Sequence, residues 1–112
     1  MLLYDNPHVR ETISPAAMAE MGALISELTE SGELVSTEGL ADPSETKTIR
    51  VRDGGPAVTD GPYAEAKEHM GGFLLLDVSD ERRAIEIASR WPAGLTAAIE
   101  IRPLLSQGGA DG

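Results

Sequence analysis

The sequence predicts a single α+β domain in which two helices cover one face of an antiparallel sheet. The chain has 112 residues, which is enough for one hydrophobic core and too few for two. Two segments repeat apolar residues at helical spacing, whereas the segments between them alternate or run apolar over short stretches, as strands do. The predicted order is strand, helix, strand, hairpin, strand, helix, strand.

Composition and charge narrow the classes of protein to which the chain can belong. Hydrophobic residues make up 41% of the chain, which is typical of a folded protein. Nine Lys and Arg stand against nineteen Asp and Glu, and the net charge of −10 disfavours binding to nucleic acid or to an acidic membrane surface. Without cysteine there is no disulfide and no Cys nucleophile. No membrane span or secretory signal is visible, so we expect a cytoplasmic protein.

The first third of the chain predicts a strand, a helix and a second strand. Met1 to Tyr4 is a short apolar strand, and Asp5-Asn6-Pro7 interrupts it. Ser14-Pro15 starts a helix, because Ser can cap free amides and Pro suits the first helical position, and Gly32 ends it. Leu34 to Glu38 follows as a strand. The helix carries one apolar stripe, formed by Ala17, Met21, Leu24, Ile25 and Leu28.

A hairpin is predicted in the middle of the chain. Thr48 to Arg52 alternates polar and apolar residues, as a strand with one solvated face does. Asp53 to Pro56 is a turn, and Ala57 to Thr59 returns as the second arm. Asp60 is therefore predicted to lie at the end of the hairpin.

The last third of the chain predicts a central strand, a helix and a final strand. Phe73 to Val78 is nearly all apolar, as expected of a central strand buried on both faces or partly buried in a dimer. Ser79 or Asp80 caps the next helix, and Pro92 ends it. Its predicted apolar stripe is Ala84, Ile85, Ala88 and Trp91, with Glu86 and Arg90 as an i,i+4 ion pair.

The final strand completes the predicted domain, which spans residues 1 to 105. Ile99 and Ile101 alternate with Glu100 and Arg102, and Ser106 to Gly112 is a Gly-rich tail that we expect to be disordered. Without the hairpin, the order is a split β-α-β repeat, the ferredoxin-like plan. Two helices leave the other sheet face bare. In a chain this short a second subunit has to cover that face, so we expect a homodimer.

The segment from Thr59 to Gly72 holds a dense group of polar residues. The residues Asp60-Gly61-Pro62 are typical of a turn. Four ionisable residues follow within five positions, and then Gly71-Gly72 leads into the central strand. These two glycines predict a close backbone approach or a bulge.

We take this segment, together with the end of the second strand, as the candidate ligand site. Asp60 is the candidate catalytic base if burial raises its pKa, and Lys67 could keep a carboxylate ionised or bind an anionic ligand. The alternative is a salt-bridge network that locks the loop onto the sheet. The predicted ligand-binding residues are Glu38, Asp60, Glu65, Lys67 and Glu68.

The same segment resembles a known family. Asp60-Gly61-Pro62-Tyr63-Ala64-Glu65 followed by Lys67-Glu68 is similar to the signature of the DGPF proteins, a branch of the YCII-related superfamily that usually has Phe in place of Tyr63. The resemblance implies a ferredoxin-like subunit that forms a dimeric α/β barrel, and an association with extracytoplasmic-function sigma factors. Further matching segments are Gly32, Glu38-Gly39-Leu40, Thr48 to Gly54, Gly71-Gly72-Phe73 and Ile99 to Pro103.

One departure from the family pattern bears on catalysis. Many YCII-related proteins carry a His on the first helix near an Asp, but the predicted helix from Ser14 to Ser31 contains no His. The two histidines are His8 and His69, and we assign that role to neither. The departure argues against acid/base catalysis of that kind.

Three functions follow from the sequence as alternatives. The first is a small-molecule-binding accessory or regulatory protein. The second is an enzyme, hydrolase-like or lyase-like, that uses a carboxylate as general base, and the third is a purely structural dimer module. No metal or cofactor is expected, because neither His8 with Glu11 nor Glu65, Glu68 and His69 has a recognised ligand spacing.

Overall fold

A computed structural model of the chain describes residues 1–62 and 67–108. Its strands form a four-stranded antiparallel sheet and a separate two-stranded hairpin. No helix in these two ranges is both long enough and apolar enough to span a bilayer. The elements are β1 (Leu2–Asp5), α1 (Pro7–Glu11), α2 (Pro15–Ser31), β2 (Leu34–Gly39), a 3₁₀ turn (Pro43–Glu45), β3 (Lys47–Arg52), β4 (Gly55–Asp60), β5 (His69–Leu76), α3 (Glu81–Ser89) and β6 (Ala98–Glu100).

The order of strands in the main sheet is β2-β5-β1-β6, and every neighbouring pair is antiparallel. Strands β1 and β2 are therefore parallel to each other, with β5 between them, and α2 connects them. Strands β5 and β6 are related in the same way across β1, and α3 connects them. Two interleaved crossovers of this kind are the split β-α-β plan. The predicted α+β class is confirmed.

Local signals in the sequence set the start and end of α2. The Ser14 side chain accepts a hydrogen bond from the Ala17 amide, and Pro15 occupies the first helical position. The helix ends at Gly32, whose φ of 81° lies in the left-handed region that favours glycine. Both predicted boundaries are confirmed.

The sequence also contains a helix start directly after β1, which was not predicted. Asn6 accepts from the Val9 amide and Pro7 begins α1, so this segment starts a short helix as well as ending a strand. The prediction treated it only as a break. The cap and the proline were visible in the sequence, but five helical residues are too few to show a period.

The core lies between the two long helices and one face of the sheet. Leu24 and Leu28 of α2 pack with Ile87 of α3 and Leu74 of β5. Leu28 and Ile87 are fully buried, and Leu74 is 1% exposed. Each such side chain contributes roughly 1.5 to 3 kcal/mol through burial of its apolar surface.

The predicted packing face of α3 was wrong in one position. Ile85 is 51% exposed, whereas Ile87 is fully buried. The buried set is spaced i, i+3, i+4 and i+7 from Ala84, and this set excludes Ile85. The helix begins at Glu81 with Asp80 as its cap, and that starting point fixes which side chains meet α2.

The predicted ion pair between Glu86 and Arg90 was also wrong, because each residue pairs with a different partner. Arg90 pairs with Glu27 of α2, and Glu86 pairs with Arg83. Arg83 in addition makes a two-pronged contact with Glu33 at 2.7 and 2.8 Å. Because Glu33 follows α2 and precedes β2, this contact ties the connection between them to α3.

Strand β5 is central, as predicted, but only one of its faces is buried within this chain. Opposite neighbours in the register place Glu38, Phe73, Leu2 and Glu100 in one row across all four strands. Since side chains alternate along a strand, this row faces away from the helices that cover Leu74. We call this side of the sheet the outer face.

The two glycines of β5 fulfil both predicted roles. Gly71 is skipped in the register with β1, so it forms a bulge. A Cβ placed on Gly72 would lie 2.7 Å from the carbonyl oxygen of Glu38, which shows a close backbone approach. Both predictions are confirmed.

We expect Gly72→Ala to destabilise the fold by about 1 to 3 kcal/mol, because the new methyl group meets backbone atoms that cannot move without breaking the β2–β5 pairing. Urea unfolding measures the free energy. The matched control is Gly39→Ala, directly opposite in the register, where an added Cβ meets nothing within 4 Å. We expect the control to be neutral or slightly stabilising. Equal losses in both variants would contradict the close approach.

A second expectation concerns acid stability. The hydrogen bonds from Arg83 and Ser31 lower the pKa of Glu33 from 4.5 to about 2. A carboxylate whose pKa is depressed by folding stabilises the protein above its unfolded pKa. This stabilisation is lost as pH falls through the folded pKa. We therefore expect Glu33→Gln to be less stable than the wild type at neutral pH. The stabilities of the two proteins should converge as the pH falls from 4.5 to about 2.

Thermal unfolding at several pH values measures this convergence. Glu20→Gln removes the same charge from an exposed position of α2 that has no ion pair within residues 1–62 and 67–108. The stability of Glu20→Gln should change with pH in the same way as that of the wild type. A constant difference between Glu33→Gln and the wild type down to the lowest pH is the result that would refute the assignment.

Candidate functional site

The turn that follows the hairpin is held in place by the start of the same hairpin. The Gly61 amide donates to the carbonyl of Thr46 at 2.7 Å, and the Thr48 hydroxyl donates to the carbonyl of Gly61 at 2.6 Å. Gly61 has a φ of 86°, which explains the glycine in Asp60-Gly61-Pro62. The turn is therefore rigidly placed at the open end of the hairpin.

Asp60 projects from this turn into solvent. Its side chain is 88% exposed and its carboxylate pairs with the Lys47 ammonium, which is itself 62% exposed. An exposed ion pair of this kind contributes little to stability because water screens it. The geometry therefore does not make Asp60 a structural clamp.

The other predicted site residues are spread over separate elements. Glu38 lies on the outer face in β2, and Lys67 and Glu68 are exposed directly before β5. Glu65 lies outside the described residues. Within the described part of the chain, no ion pair joins Glu38, Asp60, Lys67 and Glu68 to one another. Their role in binding stays a prediction.

We expect Asp60→Asn to change the free energy of unfolding by less than about 1 kcal/mol, the range of exposed ion pairs. Chemical denaturation at low ionic strength is the measurement. For comparison, Arg10→Met removes a guanidinium that contacts two carboxylates and is only 25% exposed, and it should cost more. A larger loss in Asp60→Asn than in Arg10→Met would restore the clamp interpretation.

A large cavity lies along β5. Its volume is about 800 Å³. The segment after β6 forms one wall, and Arg102 and Gln107 supply polar groups there. Its lining comes from both faces of the sheet. Leu2, Phe73 and Leu75 belong to the outer face, whereas Met1, Leu74 and Ala84 belong to the side that the helices cover.

Polar groups stand next to this cavity on the outer face. Tyr4 is two residues from Leu2 and therefore points to the same side of the sheet. Its hydrogen bond with Glu100 raises the pKa of the Tyr4 hydroxyl, and the positive charge of Arg102 opposes that change. Tyr4, Glu100 and Arg102 thus form a polar edge beside apolar residues. The alternation of Glu100 and Arg102 with isoleucines was visible in the sequence, but their pairing with Tyr4 depends on the β1–β6 register.

A second charged group, missed by sequence reasoning, lies at the other end of β1. Arg10 contacts Asp5 at 2.6 Å and Asp42 at 3.4 Å. The amide of Leu40 donates to the carbonyl of Gly71 at 2.8 Å, so the loop after β2 also lies against this region. The short helix α1 brings Arg10 back over Asp5. Because that helix was not predicted, the network was not predicted either.

The histidines do not assemble a metal site within the described residues. His8 is exposed on α1, and His69 begins β5 opposite Asp5. No group of three or more His, Asp and Glu side chains in residues 1–62 and 67–108 is placed to hold a metal ion.

Comparison with known proteins identifies the family of this chain. The YCII-related domain matches residues 1–106. An uncharacterised protein of Rhizobium meliloti (strain 1021) is 32% identical over 89 residues, which cover 78% of this chain and 72% of that protein. The chain therefore belongs to the YCII-related domain family.

Proposed function

We propose that this protein binds a small molecule and that it does so as a homodimer, with the ligand on the outer face of the sheet. The observation that carries the proposal is the cavity of about 800 Å³ beside Phe73 and Leu75. Small-molecule sites have volumes of roughly 300 to 1,000 Å³ and are mostly apolar with a few polar groups. The cavity has both properties.

The proposed dimer follows from surfaces that this chain leaves uncovered. On the outer face, Leu2, Phe73 and Leu75 are only partly buried. Apolar patches of this kind mark interaction surfaces. A second sheet packed against this face would bury the row and close the open side of the cavity.

The hairpin supplies a second uncovered surface. Among the described residues, strands β3 and β4 pair only with each other. Ile49 and Val58 lie opposite each other in this pair and are 56% and 63% exposed. An isolated hairpin is marginally stable in water. The radius of gyration is 16.1 Å, compared with roughly 13 Å for a compact domain of this length. An extended arm of this shape suits contact with a partner subunit.

The chemistry of the cavity suggests the kind of ligand. An apolar body would contact Phe73 and Leu75, and an acceptor group of the ligand would meet Arg102. Glu38 lies beside Phe73, a residue of the cavity lining, in the cross-strand row. Asp60, Lys67 and Glu68 do not line it. We therefore place the ligand on the outer face and treat the loop as a second possible location to be tested.

The test is a thermal-shift screen of the purified protein against a broad library of metabolites. Arg102→Gln and Tyr4→Phe remove polar groups of the outer face, Asp60→Asn and Lys67→Met alter the loop, and Glu20→Gln is the control. A compound that loses its effect only in the first pair binds in the cavity. One that loses it only in the second pair binds at the loop and contradicts the proposed location.

Turnover of any such compound separates an enzyme from a binding protein. Absence of any stabilising compound across the library counts against binding altogether, and leaves the structural dimer module. The DGPF assignment, the cytoplasmic location and the association with extracytoplasmic-function sigma factors stay predictions from the sequence.

The proposed dimer is tested separately, by measuring the oligomeric state. We expect a dimer by size-exclusion chromatography with light scattering, and we expect Leu75→Glu to shift it to monomer because a charge would be buried in the interface. Ile85→Glu places the same charge on α3, where the side chain is already 51% exposed, and should leave the dimer intact. A monomeric wild type, or equal dissociation in both variants, would exclude the outer face as the interface.

A further inference from the structure

One side of the hairpin is apolar and open to solvent. Ile49 lies opposite Val58 in the register, and Val51 lies opposite Pro56. Opposite residues share a side of a two-stranded ribbon, and so do residues two apart along a strand, so these four form one surface. Val51 is 82% exposed, and Ile49 and Val58 are each more than half exposed. An apolar surface of this kind on an isolated hairpin indicates an interaction site.

Strand β3 of the hairpin is basic. Arg50 and Arg52 alternate with its apolar residues, and Lys47 at the base adds a third positive charge. The strand therefore holds three of the nine Lys and Arg residues of the chain and no Asp or Glu. Among the strands and helices of the described residues, it alone has a net positive charge when His is neutral. Its charge suits contact with an acidic partner.

The hairpin has the length needed to reach across a sheet. Its base is fixed by the hydrogen bonds of Gly61 with Thr46 and Thr48, and each strand has six residues. At about 3.3 Å per residue, such a strand is roughly 20 Å long. Neighbouring strands lie about 4.8 Å apart, so a four-stranded sheet is roughly 14 Å wide between its outer strands. One hairpin can therefore cross the full width of the main sheet.

A second copy of the chain offers a surface that matches the hairpin. The hairpin does not cover the outer face of its own subunit, because Val51 is mostly exposed and Phe73 and Leu75 are only partly buried. That face has apolar residues in the middle of the cross-strand row, and Glu38 and Glu100 at its two ends. It therefore combines an apolar contact surface with negative charge.

We propose that the hairpin of each subunit docks on the outer face of a second copy, with its apolar side against Phe73 and Leu75 of that copy. Exchange of two such arms about a two-fold axis covers both hairpins and both outer faces. The positive charge of β3 then reduces the repulsion between two chains that each carry a net charge of −10. This inference rests on the homodimer of the proposed function and not on its ligand.

The experiment makes use of the absence of cysteine from the chain, which allows one spin label to be placed at a chosen site. Ala57→Cys carries a nitroxide on the side of the hairpin opposite Val51. This variant, without isotope label, is mixed in excess with ¹⁵N-labelled wild type, so that only contacts between subunits broaden the ¹H–¹⁵N signals. We expect broadening of the Phe73 and Leu75 amide signals. A label on Glu20→Cys, exposed on α2, is the control and should leave both signals sharp.

Two variants test the contact through the dissociation constant of the dimer, measured by analytical ultracentrifugation over a range of concentrations. Val51→Glu places a charge in the apolar contact and should weaken the dimer roughly 10-fold or more. Arg52→Glu reverses a charge of β3 and should weaken the dimer roughly 3- to 10-fold. Ile85→Glu, at a position of α3 that is 51% exposed, is the matched control and should dissociate as the wild type does.

Three results would overturn the proposal. A wild type that is monomeric at every concentration excludes this inference together with the proposed dimer. A dimer in which the label broadens only the hairpin signals of the partner, or no signals, excludes docking on the outer face and leaves the dimer standing. Equal dissociation of Val51→Glu and Ile85→Glu has the same meaning. Ligand binding is measured separately in the thermal-shift screen, so its failure is distinguishable from all three.

Discussion

The close approach of three strands at Gly71 and Gly72 is the constraint on which the rest of the structure depends. Strand β5 pairs with β1 on one side and with β2 on the other, and both contacts pass through these two residues. At Gly72 the backbone of β2 fills the space of a side chain, and at Gly71 the carboxylate of Asp5 does. Larger residues would separate the strands at the center of the sheet. The four-stranded order, and with it the position of both crossover helices, follows from this approach.

Only one face of the sheet is buried by the helices, and the other face is left uncovered within this chain. The helices cover Leu74, and they do not cover the row through Phe73 and Leu2. A small chain cannot cover both faces, because it has too few residues to form a second layer. The half-buried state of Phe73 follows from this. In the proposed dimer, the charged ends of the same row, Glu38 and Glu100, would face the ligand or the second subunit.

Predictions from the sequence succeeded where the controlling interactions are local. The capping of α2 by Ser14 and its end at Gly32 involve residues at most three positions apart, and both were correct. The error at Ile85 arose because a short helix permits more than one apolar stripe, and contact with α2 selected Ile87. The polar loop from Asp60 to Glu68 was equally visible, yet density of charge along the chain does not show which side chains share a cavity. In the described part of that loop, the side chains of Asp60, Lys67 and Glu68 are exposed.

Local patterns in the sequence predict the α+β class, the two long helices, the hairpin, and the need for glycine in the first half of β5. These depend on periodicity, on caps and on backbone freedom, all of which are properties of neighbouring residues. Three contacts were visible only in the folded chain: Tyr4 meets Glu100, Asp5 lies over Gly71, and the buried Trp91 N–H has no acceptor among the described residues. Each of these depends on the register or packing of segments far apart in the chain. A shift of one residue in register would turn the side chains of a strand to the other face of the sheet.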